Sequence, residues 1–322
     1  MELEFKKIFN KWVAEKKAFV FLIDFEKKAP LIWTPSEAAR QKVFFQLNGY
    51  TNFKKKYKKI PVRLKIFPPD KNKYQKAFEY VQHHLHAGNT YLLNLTFATR
   101  IKSNISLHDI FIQAAAPYKF YFKDKFVCFS PETFVQISDN IIKTFPMKGT
   151  IDARIPNARQ KLLQNQKELN EHYTIVDLLR NDLAMVANKV RVKRFRYLEP
   201  VRTLNGELLQ ASSEIIGLLP DNWKKNNPAT VFDKILPAGS ISGAPKSKTI
   251  DIIKQAEIDN RGYYTGIFGY FDGNNFDTAV IIRYIEKNNN EFYYRSGGGI
   301  TTLSNWKEEY NELIQKIYVP TD

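Results

Sequence analysis

Two consecutive strand-rich segments place the strongest limit on the fold. The first, FYFKDKFVCFS (120–130), has apolar runs on both sides of a charged KDK centre. The second, TFVQISDNIIKTFPMK (133–148), turns at Ser138, Asp139 and Asn140. A short polar turn between two apolar runs is typical of a β-hairpin, in which the two strands are antiparallel. The pattern therefore favours antiparallel sheets over the parallel sheet of a regular βαβ alternation.

Helical and extended segments elsewhere occur in clusters. Helical periodicity predicts helices, and apolar or alternating runs predict strands, over these segments: helices 74–88, 157–182, roughly 245–257 and 305–318; strands 19–25, 90–101, several between 190 and 218, and pairs within 263–285 and 291–300. We expect an α+β protein in which antiparallel sheets pack together and are flanked by helices. The 322 residues can bury a sizeable core, and no linker divides them, so we expect a single domain over residues 1–322.

Composition excludes several classes of protein. Hydrophobic residues make up 43% of the chain and aromatic residues 14%, which is unlike a disordered protein. No apolar run approaches the ~20 residues of a membrane span, and the start MELEFKKIFNKW lacks the apolar core of a signal peptide, so we expect a cytoplasmic protein without a membrane partner. The single cysteine, Cys128, is more typical of a small core residue than of a nucleophile.

The chain is strongly basic, with 49 basic and 33 acidic residues and a net charge of +16. The densest basic runs are KKKYKK (54–59) and KVRVKRFR (189–196), and no nucleic-acid recognition motif accompanies either. Solvated charged faces are the favoured interpretation of both runs, and we expect no nucleic-acid partner. A small anionic substrate would also benefit from the positive field.

Two matched carboxylate motifs could carry chemistry. Glu168 and Glu171 lie in KELNEH, and Glu309 and Glu312 lie in EEYNE. The i, i+3 spacing places each pair on one face of a helix, and two such faces together would suit Mg²⁺, which prefers carboxylate and water oxygens. Either motif alone is more often a solvated helix face. His172, which follows Glu171, is more typical of a structural residue than of a ligand.

Two glycine-containing segments could approach a ligand. In GSISGAPK (239–246), a hydroxyl-bearing loop precedes a helix at Pro245, and backbone N–H groups at a helix start favour an anion. The segment lacks the Walker pattern of nucleotide-binding loops. In SGGGI (296–300), three glycines follow a strand and would allow close approach of a ligand, although a bulge or a sharp turn is an equally good explanation.

Glu132 in FSPETF and Lys148 in PMKGT stand near the two ends of the second hairpin segment, so the two side chains could lie close together. A desolvated lysine can act as a nucleophile or base, and a carboxyl in the same site can act as an acid. Spacing alone supports this weakly, since an exposed lysine at a strand end is the simpler explanation.

The set and order of these motifs resemble the chorismate-utilising enzyme family, which includes anthranilate, isochorismate, salicylate and aminodeoxychorismate synthases. The resemblance rests on FSPE, PMKGT followed by Arg154, KELNEHYTIVDLLRNDLAMV, GSISGAPK, RGYYTGIFGY, TAVIIRY and SGGGI with EEYNELIQK, in family order. It covers about residues 75–318, which we expect to form the catalytic core, with residues 1–74 as a shortened, poorly matching N-terminal part. It implies the fold of anthranilate synthase component I.

The resemblance gives the motifs roles. Glu171 and Glu312 match the family's Mg²⁺ carboxylates, which bind the ring carboxylate of chorismate through the metal, with Glu168 and Glu309 beside them. Glu132 matches the general acid that protonates the departing 4-hydroxyl. The positions that match substrate-binding residues are Ser242, Tyr264, Arg283, Gly298, Gly299 and Lys316. Gln210 stands where the family often has histidine; glutamine can hydrogen-bond but cannot act as an acid or base.

Lys148 distinguishes subgroups within the family. Anthranilate and isochorismate synthases usually carry alanine at the matching position, whereas aminodeoxychorismate synthases carry lysine in a KGT motif like the one here. The resemblance therefore implies that Lys148 attacks chorismate and that ammonia then displaces it, giving 4-amino-4-deoxychorismate. Such a lysine must be neutral, so we expect burial and Mg²⁺ to lower its pKa. An anthranilate- or isochorismate-type synthase remains the alternative.

Ammonia must come from elsewhere, because Cys128 lies in an apolar run without the surroundings of a glutamine-hydrolysing cysteine. We therefore expect a separate glutamine amidotransferase subunit as a partner.

Overall fold

The structure is a computed structural model that describes residues 1–54, 60–203 and 206–321. Most of the basic run 54–59 therefore lies outside the described residues. The helices are α1 Leu3–Ala14, α2 Pro35–Arg40, α3 Lys71–His86, α4 Leu107–Gln113, α5 Ala158–Gln164, α6 Gln166–Ala184, α7 Ala229–Ile235, α8 Lys246–Ala256 and α9 Trp306–Gln315, with a 3₁₀ turn at Gly239–Ile241. None of the helices in the described parts of the chain is long and apolar enough to cross a membrane.

The strands, like the helices, occur in clusters along the chain, as the sequence predicts. Their bounds are β1 Phe19–Ile23, β2 Leu31–Trp33, β3 Val43–Leu47, β4 Tyr50–Thr51, β5 Leu64–Phe67, β6 Leu92–Ser103, β7 Tyr118–Phe122, β8 Phe126–Ser130, β9 Thr133–Ser138, β10 Ile141–Thr144, β11 Met147–Asp152, β12 Asn188–Thr203, β13 Gly206–Leu218, β14 Gly243–Ala244, β15 Ile267–Phe271, β16 Phe276–Val280, β17 Tyr284–Asn288 and β18 Glu291–Ile300.

Over the described residues, the strands form two nine-stranded sheets. Sheet 1 has the order β11-β13-β10-β9-β16-β15-β1-β2, with β12 also paired to β13. Sheet 2 has the order β14-β6-β18-β17-β8-β7-β3-β4, with β5 also paired to β6. Neighbouring strands in both sheets are antiparallel, from the β7–β8 and β9–β10 hairpins to the long β6–β18 pair. The predicted α+β class with antiparallel sheets is confirmed.

Strand β1 explains how the two sheets pack together. All five of its residues are buried. Phe19, Phe21 and Ile23 join a core that also contains residues of α1, α3 and α7, whereas Val20 and Leu22 join a second core with β3, β7 and β8 of sheet 2. Both faces of β1 are therefore covered, which is why its sequence is continuously apolar instead of alternating.

The N-terminal residues are part of both sheets. In sheet 1, β1 lies between β2 and β15, with Phe21 opposite Gly269. In sheet 2, β3 pairs with β7, with Phe45 opposite Phe120. The segment before residue 75 therefore supplies structural strands, although the motif resemblance there is poor.

The predicted helix over 157–182 is two helices. Asn165 takes an extended conformation between α5 and α6, and its side chain accepts a hydrogen bond from the backbone N–H of Glu168. An asparagine that caps a helix in this way competes with helix continuation, so a new helix starts after it. The break places Glu168 and Glu171 in the first turns of α6.

The three glycines of SGGGI lie within β18, which confirms the predicted strand over 291–300; the alternative explanation, a bulge or sharp turn after the strand, is wrong. Gly297 is opposite Thr96 and Gly299 is opposite Asn94 in β6. A Cβ atom on Gly297 would clash with the Leu95 carbonyl oxygen. The glycines therefore let two strands and a helix approach closely, which the sequence could not distinguish from a turn.

Candidate active site

A cavity of about 1050 Å³ collects most of the predicted site residues. Its wall is formed by strands of both sheets, by α6 and α9, and by the 3₁₀ turn. The predicted residues that line it are Glu132, Lys148, Glu168, Glu171, Gln210, Tyr264, Arg283, Gly298, Gly299, Glu309, Glu312 and Lys316. These residues come from separate stretches of sequence. The fold brings them together, which their spacing in the sequence could not show.

Lys148 occupies an irregular position in β11. The pairing of β11 with β13 shifts register between Met147 and Thr150, and Gly149 has a φ of +87°, in the left-handed region that favours glycine. A regular strand would alternate sides through this segment. The Lys148 side chain instead lines the cavity, where its Nζ lies 2.8 Å from Glu171 Oε2.

The pKa of Lys148 is raised in this structure. Burial lowers its pKa, but Glu171, with smaller contributions from Glu312 and Glu168, more than offsets burial. The expected lowering of the Lys148 pKa is therefore not found, because the neighbouring carboxylates stabilise the ammonium form.

The four glutamates approach the cavity from two helices. Glu171 on α6 pairs with Lys148, and Glu312 on α9 pairs with Lys316 at 2.7 Å. The pKa of Glu309 is raised, first by burial and then by the nearby Glu312, while hydrogen bonding by Ser304 opposes the rise. Repulsion between neighbouring carboxylates is what a bound cation would relieve.

These carboxylates have the donor type that Mg²⁺ requires, since every donor is a hard oxygen. They also stand opposite glycine backbone: a Cβ on Gly298 would lie 3.0 Å from Glu309 Oε2 and 3.9 Å from Glu312 Oε1. In residues 1–54, 60–203 and 206–321, however, no three acidic, histidine or cysteine side chains converge closely enough to form a metal site. The carboxylate oxygens are suitable ligands for Mg²⁺. In this structure, however, Glu171 and Glu312 form ion pairs with Lys148 and Lys316.

Glu132 follows the end of β8 and is fixed from two directions. Its backbone N–H donates to Ser130 Oγ at 3.1 Å, and its carboxyl Oε1 accepts from Ser240 Oγ at 2.7 Å. Burial raises the pKa of Glu132, while Ser240 and the charge of Arg283 oppose the rise. A raised pKa favours the protonated carboxyl, which is the form that a general acid needs.

Ser240, and not the predicted Ser242, lies on the cavity wall. The sequence indicates no individual role for Ser240. Ser242 is fully buried, its hydroxyl donates to the Ala238 carbonyl at 2.8 Å, and it does not line the cavity. The structure therefore does not support Ser242 as a substrate contact. Ser240 lies within the 3₁₀ turn Gly239–Ile241 and Ser242 follows it, so the two hydroxyls bond to different partners although they are only two residues apart. The start of α8 does not line the cavity either, so the anion site expected at that helix start is not part of it.

The remaining predicted binding residues also line the cavity. Lys316 Nζ donates to the Gly297 carbonyl at 2.7 Å, and the Arg283 guanidinium lies over the Tyr318 ring at 5.2 Å. Tyr264 is almost fully buried, and burial raises the pKa of its phenol to about 12, so the phenol stays protonated. Gln210, opposite Thr150, faces the same cavity from β13.

His172 is structural, as expected. Its side chain is fully buried, and Nε2 lies 2.7 Å from Ser213 Oγ on β13. Burial lowers the pKa of His172, which favours the neutral ring. The contact ties α6 to sheet 1 immediately beside Glu171.

One cavity thus collects a lysine, the carboxyl of Glu132 and two pairs of glutamates from separate elements of the fold, as an active site does. The chain belongs to the family of chorismate binding enzymes, whose model matches residues 24–322. The match starts well before residue 75, so the resemblance is longer than the motifs indicate.

Several curated proteins of the family are similar to this chain over most of its length. An uncharacterised PabA-like protein of Haemophilus influenzae is 51% identical over 97% of this chain and 95% of its own length. Aminodeoxychorismate synthase component 1 of Bacillus subtilis is 30% identical over 76% of this chain, and that of Escherichia coli 31% identical over 77%. The chain spans about half the length of these two synthases, 54% and 56%.

Solved structures confirm the expected fold. Anthranilate synthase component I of Streptococcus pneumoniae superposes with a TM-score of 0.68 at 25% identity, over 80% of this chain and 59% of that one. The menaquinone-specific isochorismate synthase MenF of Escherichia coli superposes with a TM-score of 0.72 at 16% identity, over 97% of this chain and 79% of that one. The anthranilate synthase component I-like fold is thus shared over 80% of the chain, and the isochorismate synthase fold over 97% of it.

Proposed function

We propose that this protein is the chorismate-aminating component of an aminodeoxychorismate synthase, which converts chorismate and ammonia to 4-amino-4-deoxychorismate for para-aminobenzoate and folate synthesis. The observation that carries the proposal is the position of Lys148, whose amine lies in the cavity 2.8 Å from Glu171. A lysine here has the chemistry that an aminating mechanism needs and that the related synthases with alanine lack. The aminodeoxychorismate synthase relatives at 30% and 31% identity support the same conclusion.

Chorismate is a dianion, and its carboxylates require cationic or metal partners. Arg283 and Lys316 supply positive charge on the cavity wall, and the backbone at Gly298 and Gly299 allows close approach. Glu171 and Glu312 would hold Mg²⁺, with Glu168 and Glu309 beside them. The ion would neutralise the ring carboxylate and withdraw electron density from the ring as a Lewis acid.

Lys148 and Glu132 then divide the displacement into two balanced steps. The neutral Lys148 amine forms a bond to C2 of chorismate. The C1=C2 double bond shifts to C1=C6, the C5=C6 double bond shifts to C4=C5, and the C4 oxygen leaves as water with a proton from Glu132. Ammonia next forms a bond at C4, both double bonds shift back to C5=C6 and C1=C2, and the C2–N bond to Lys148 breaks so that the amine leaves neutral. Glu132 regains a proton as ammonia loses one. Covalent catalysis of this kind replaces one difficult step by two easier ones.

Ser240 supports the acid role of Glu132 by a hydrogen bond to its Oε1. Tyr264, protonated at neutral pH, can donate to the substrate, and Gln210 can donate or accept but cannot transfer a proton. We place no proton-transfer step on His172, because its ring faces Ser213 and not the cavity.

Glutamine would supply the ammonia through a partner amidotransferase. Cys128 is fully buried in β8, and burial raises the pKa of its thiol, so it cannot provide the reactive thiolate that glutamine hydrolysis needs. The cytoplasmic location expected from the sequence stays a prediction.

Product identity tests the proposal. The protein is incubated with chorismate, Mg²⁺ and ¹⁵N-ammonium, and the products are separated and identified by mass. We expect a product that contains one ¹⁵N and retains the enolpyruvyl group. Release of pyruvate with an aromatic ¹⁵N product would show an anthranilate-type synthase, and a nitrogen-free isomer of chorismate would show an isochorismate-type synthase; either result would refute the proposal.

A further inference from the structure

Asp182, near the end of α6, makes two contacts that the chemistry above does not use. Its side chain is almost completely buried. Oδ1 lies 2.6 Å from Lys246 Nζ, at the first residue of α8, and Oδ2 accepts the Gly239 backbone N–H at 2.8 Å. A buried carboxylate is costly unless it is paired and hydrogen-bonded, and both requirements are met here.

Gly239 begins the 3₁₀ turn that carries Ser240. The turn packs tightly on α6, since a Cβ on Gly239 would lie 3.0 Å from Asp182 Oδ2 and 3.6 Å from Leu178 Cβ. One residue later, the Ser240 hydroxyl donates to Glu132. A chain of direct contacts therefore runs from Asp182 through the turn to the carboxyl of Glu132.

Lys246 holds the other end of this arrangement. Besides pairing with Asp182, its Nζ donates to the Ile235 carbonyl at 2.7 Å, at the end of α7. The last residue of the turn is held separately, by Arg261, whose guanidinium donates to the Ile241 carbonyl at 2.8 Å. Asp182 is thus the side chain that fixes the start of the turn, where Ser240 is placed.

We propose that Asp182 is a positioning residue, which, with Lys246, seats the Gly239–Ile241 turn so that Ser240 hydrogen-bonds and orients the carboxyl of Glu132. Glu168 and Glu171 lie on the same helix as Asp182. Helix α6 therefore positions these two glutamates directly, and it positions the carboxyl of Glu132 through Asp182 and the turn. The inference rests on the proposed role of Glu132 but not on which product the enzyme forms.

The test uses Asp182→Asn, Ser240→Ala and the double variant, with Asp177→Asn as the matched control. Asp177 is an exposed residue of the same helix that pairs with Arg180 at 2.8 Å. Turnover is followed as chorismate consumption, which responds whichever product forms. The titration of Glu132 is followed by ¹³C NMR in glutamate-labelled protein, assigned with Glu132→Gln, and needs no turnover at all.

We expect Asp182→Asn and Ser240→Ala each to lower kcat about tenfold, a part of the roughly 10²–10⁴-fold that a general acid contributes, with KM for chorismate changed less than about twofold. Both should raise the pKa of Glu132, because each removes the donor hydrogen bond that opposes the effect of burial, leaving the charge of Arg283. The double variant should match Ser240→Ala alone, since residues acting through one contact are not additive. The control should match the wild type.

Multiplying effects in the double variant, or a Glu132 titration unchanged by Asp182→Asn, would overturn the inference. Should Asp182→Asn fail to fold, Gly239→Ala disturbs the same contact from the turn side and must raise the Glu132 pKa as well. A wild-type enzyme that forms a different chorismate product would refute the proposed function while leaving this comparison intact.

Discussion

Lys148 and Glu171 form an ion pair in the cavity, and each residue has a proposed task that the pair obstructs. The amine must be neutral to attack carbon, whereas the carboxylate raises its pKa. The carboxylate is also proposed to hold Mg²⁺, which prefers anionic oxygen. The ion pair and the two tasks exclude one another, so catalysis requires the carboxylate to exchange its partner.

Replacing Glu171 with glutamine tests the metal assignment. We expect Glu171→Gln to lower turnover of chorismate by at least about 100-fold, because a neutral amide is a poor ligand for a hard divalent ion. Its thermal unfolding midpoint should change little, since the side chain lies at a partly exposed cavity wall. Turnover is measured at increasing Mg²⁺ and in excess chelator, with Glu79→Gln, an exposed glutamate on α3, as the control.

Wild-type turnover that persists in excess chelator would contradict the metal proposal. So would a Glu171→Gln variant as active as Glu79→Gln.

At the scale of elements, β18 shows why three glycines stand together. A Cβ atom added to Gly297 would clash with the backbone carbonyl of Leu95, whereas one added to Gly299 would meet only a flexible side-chain atom, Leu92 Cδ1, at 3.1 Å. The sequence pattern treats the three glycines alike. The structure separates a glycine required by strand packing from one beside the cavity.

The two glycines should therefore respond differently to alanine. Gly297→Ala should lower the free energy of unfolding by more than about 2 kcal/mol, because the β6 backbone cannot move aside without breaking the pairing. Gly299→Ala should cost less than about 1 kcal/mol, since the leucine side chain can shift. Urea unfolding measures both. Equal losses would show that close strand packing is not the cause.

The β12–β13 pair contains a pH-dependent interaction. Glu214 is buried on β13 and lies 2.9 Å from Arg194 Nε and 3.3 Å from Lys193 Nζ on β12. Burial would raise the pKa of Glu214, but hydrogen bonds from Arg194 and Lys193 lower it below its ordinary value. The predicted charged face of 189–196 is thus partly paired, and not simply solvated.

A lowered folded-state pKa means that the folded protein binds this proton more weakly than the unfolded chain does. Stability from Glu214 is then fully present above the unfolded pKa of about 4.3 and is lost as pH falls through the lower folded value. Glu214→Gln should cost up to about 1 kcal/mol at neutral pH, because both cations are half-exposed, and less as the solution is acidified. Unfolding measured in urea over a pH series tests this; a cost independent of pH would contradict it.

At the scale of the whole molecule, the sequence predicts the fold class and most of the site. Hairpin patterns and helical periodicity identify the antiparallel sheets, and the ordered motifs identify the cavity residues. Local pattern could not place Ser240 and Ser242, because a single 3₁₀ turn decides which hydroxyl faces Glu132. Nor could it show that Asn165 divides a helix, or that Lys148 is paired, since both depend on contacts that periodicity does not report.

The whole chain should use ammonia but not glutamine. With glutamine as the sole nitrogen source we expect no aminated product, because Cys128 is fully buried and its thiol has a raised pKa. Ammonium should support turnover increasingly as pH rises and more NH₃ is present, and a glutamine amidotransferase partner should restore glutamine use. Nitrogen-labelled glutamine with the purified chain is the test. Label in the product without a partner would refute the requirement for one.

The central claim is that Lys148 is the covalent nucleophile of this cavity, and the mass of the intact protein tests it most directly. The protein is mixed with chorismate and Mg²⁺ without ammonium, and the reaction is quenched. Mass spectrometry then measures the intact mass, and peptide fragmentation locates any adduct. We predict an increase equal to chorismate minus one water, located on Lys148, which disappears when ammonium is added and is absent from Lys148→Ala but present in Lys161→Ala, an exposed lysine of α5. An adduct on another residue, or amination by Lys148→Ala at the wild-type rate, would contradict the claim.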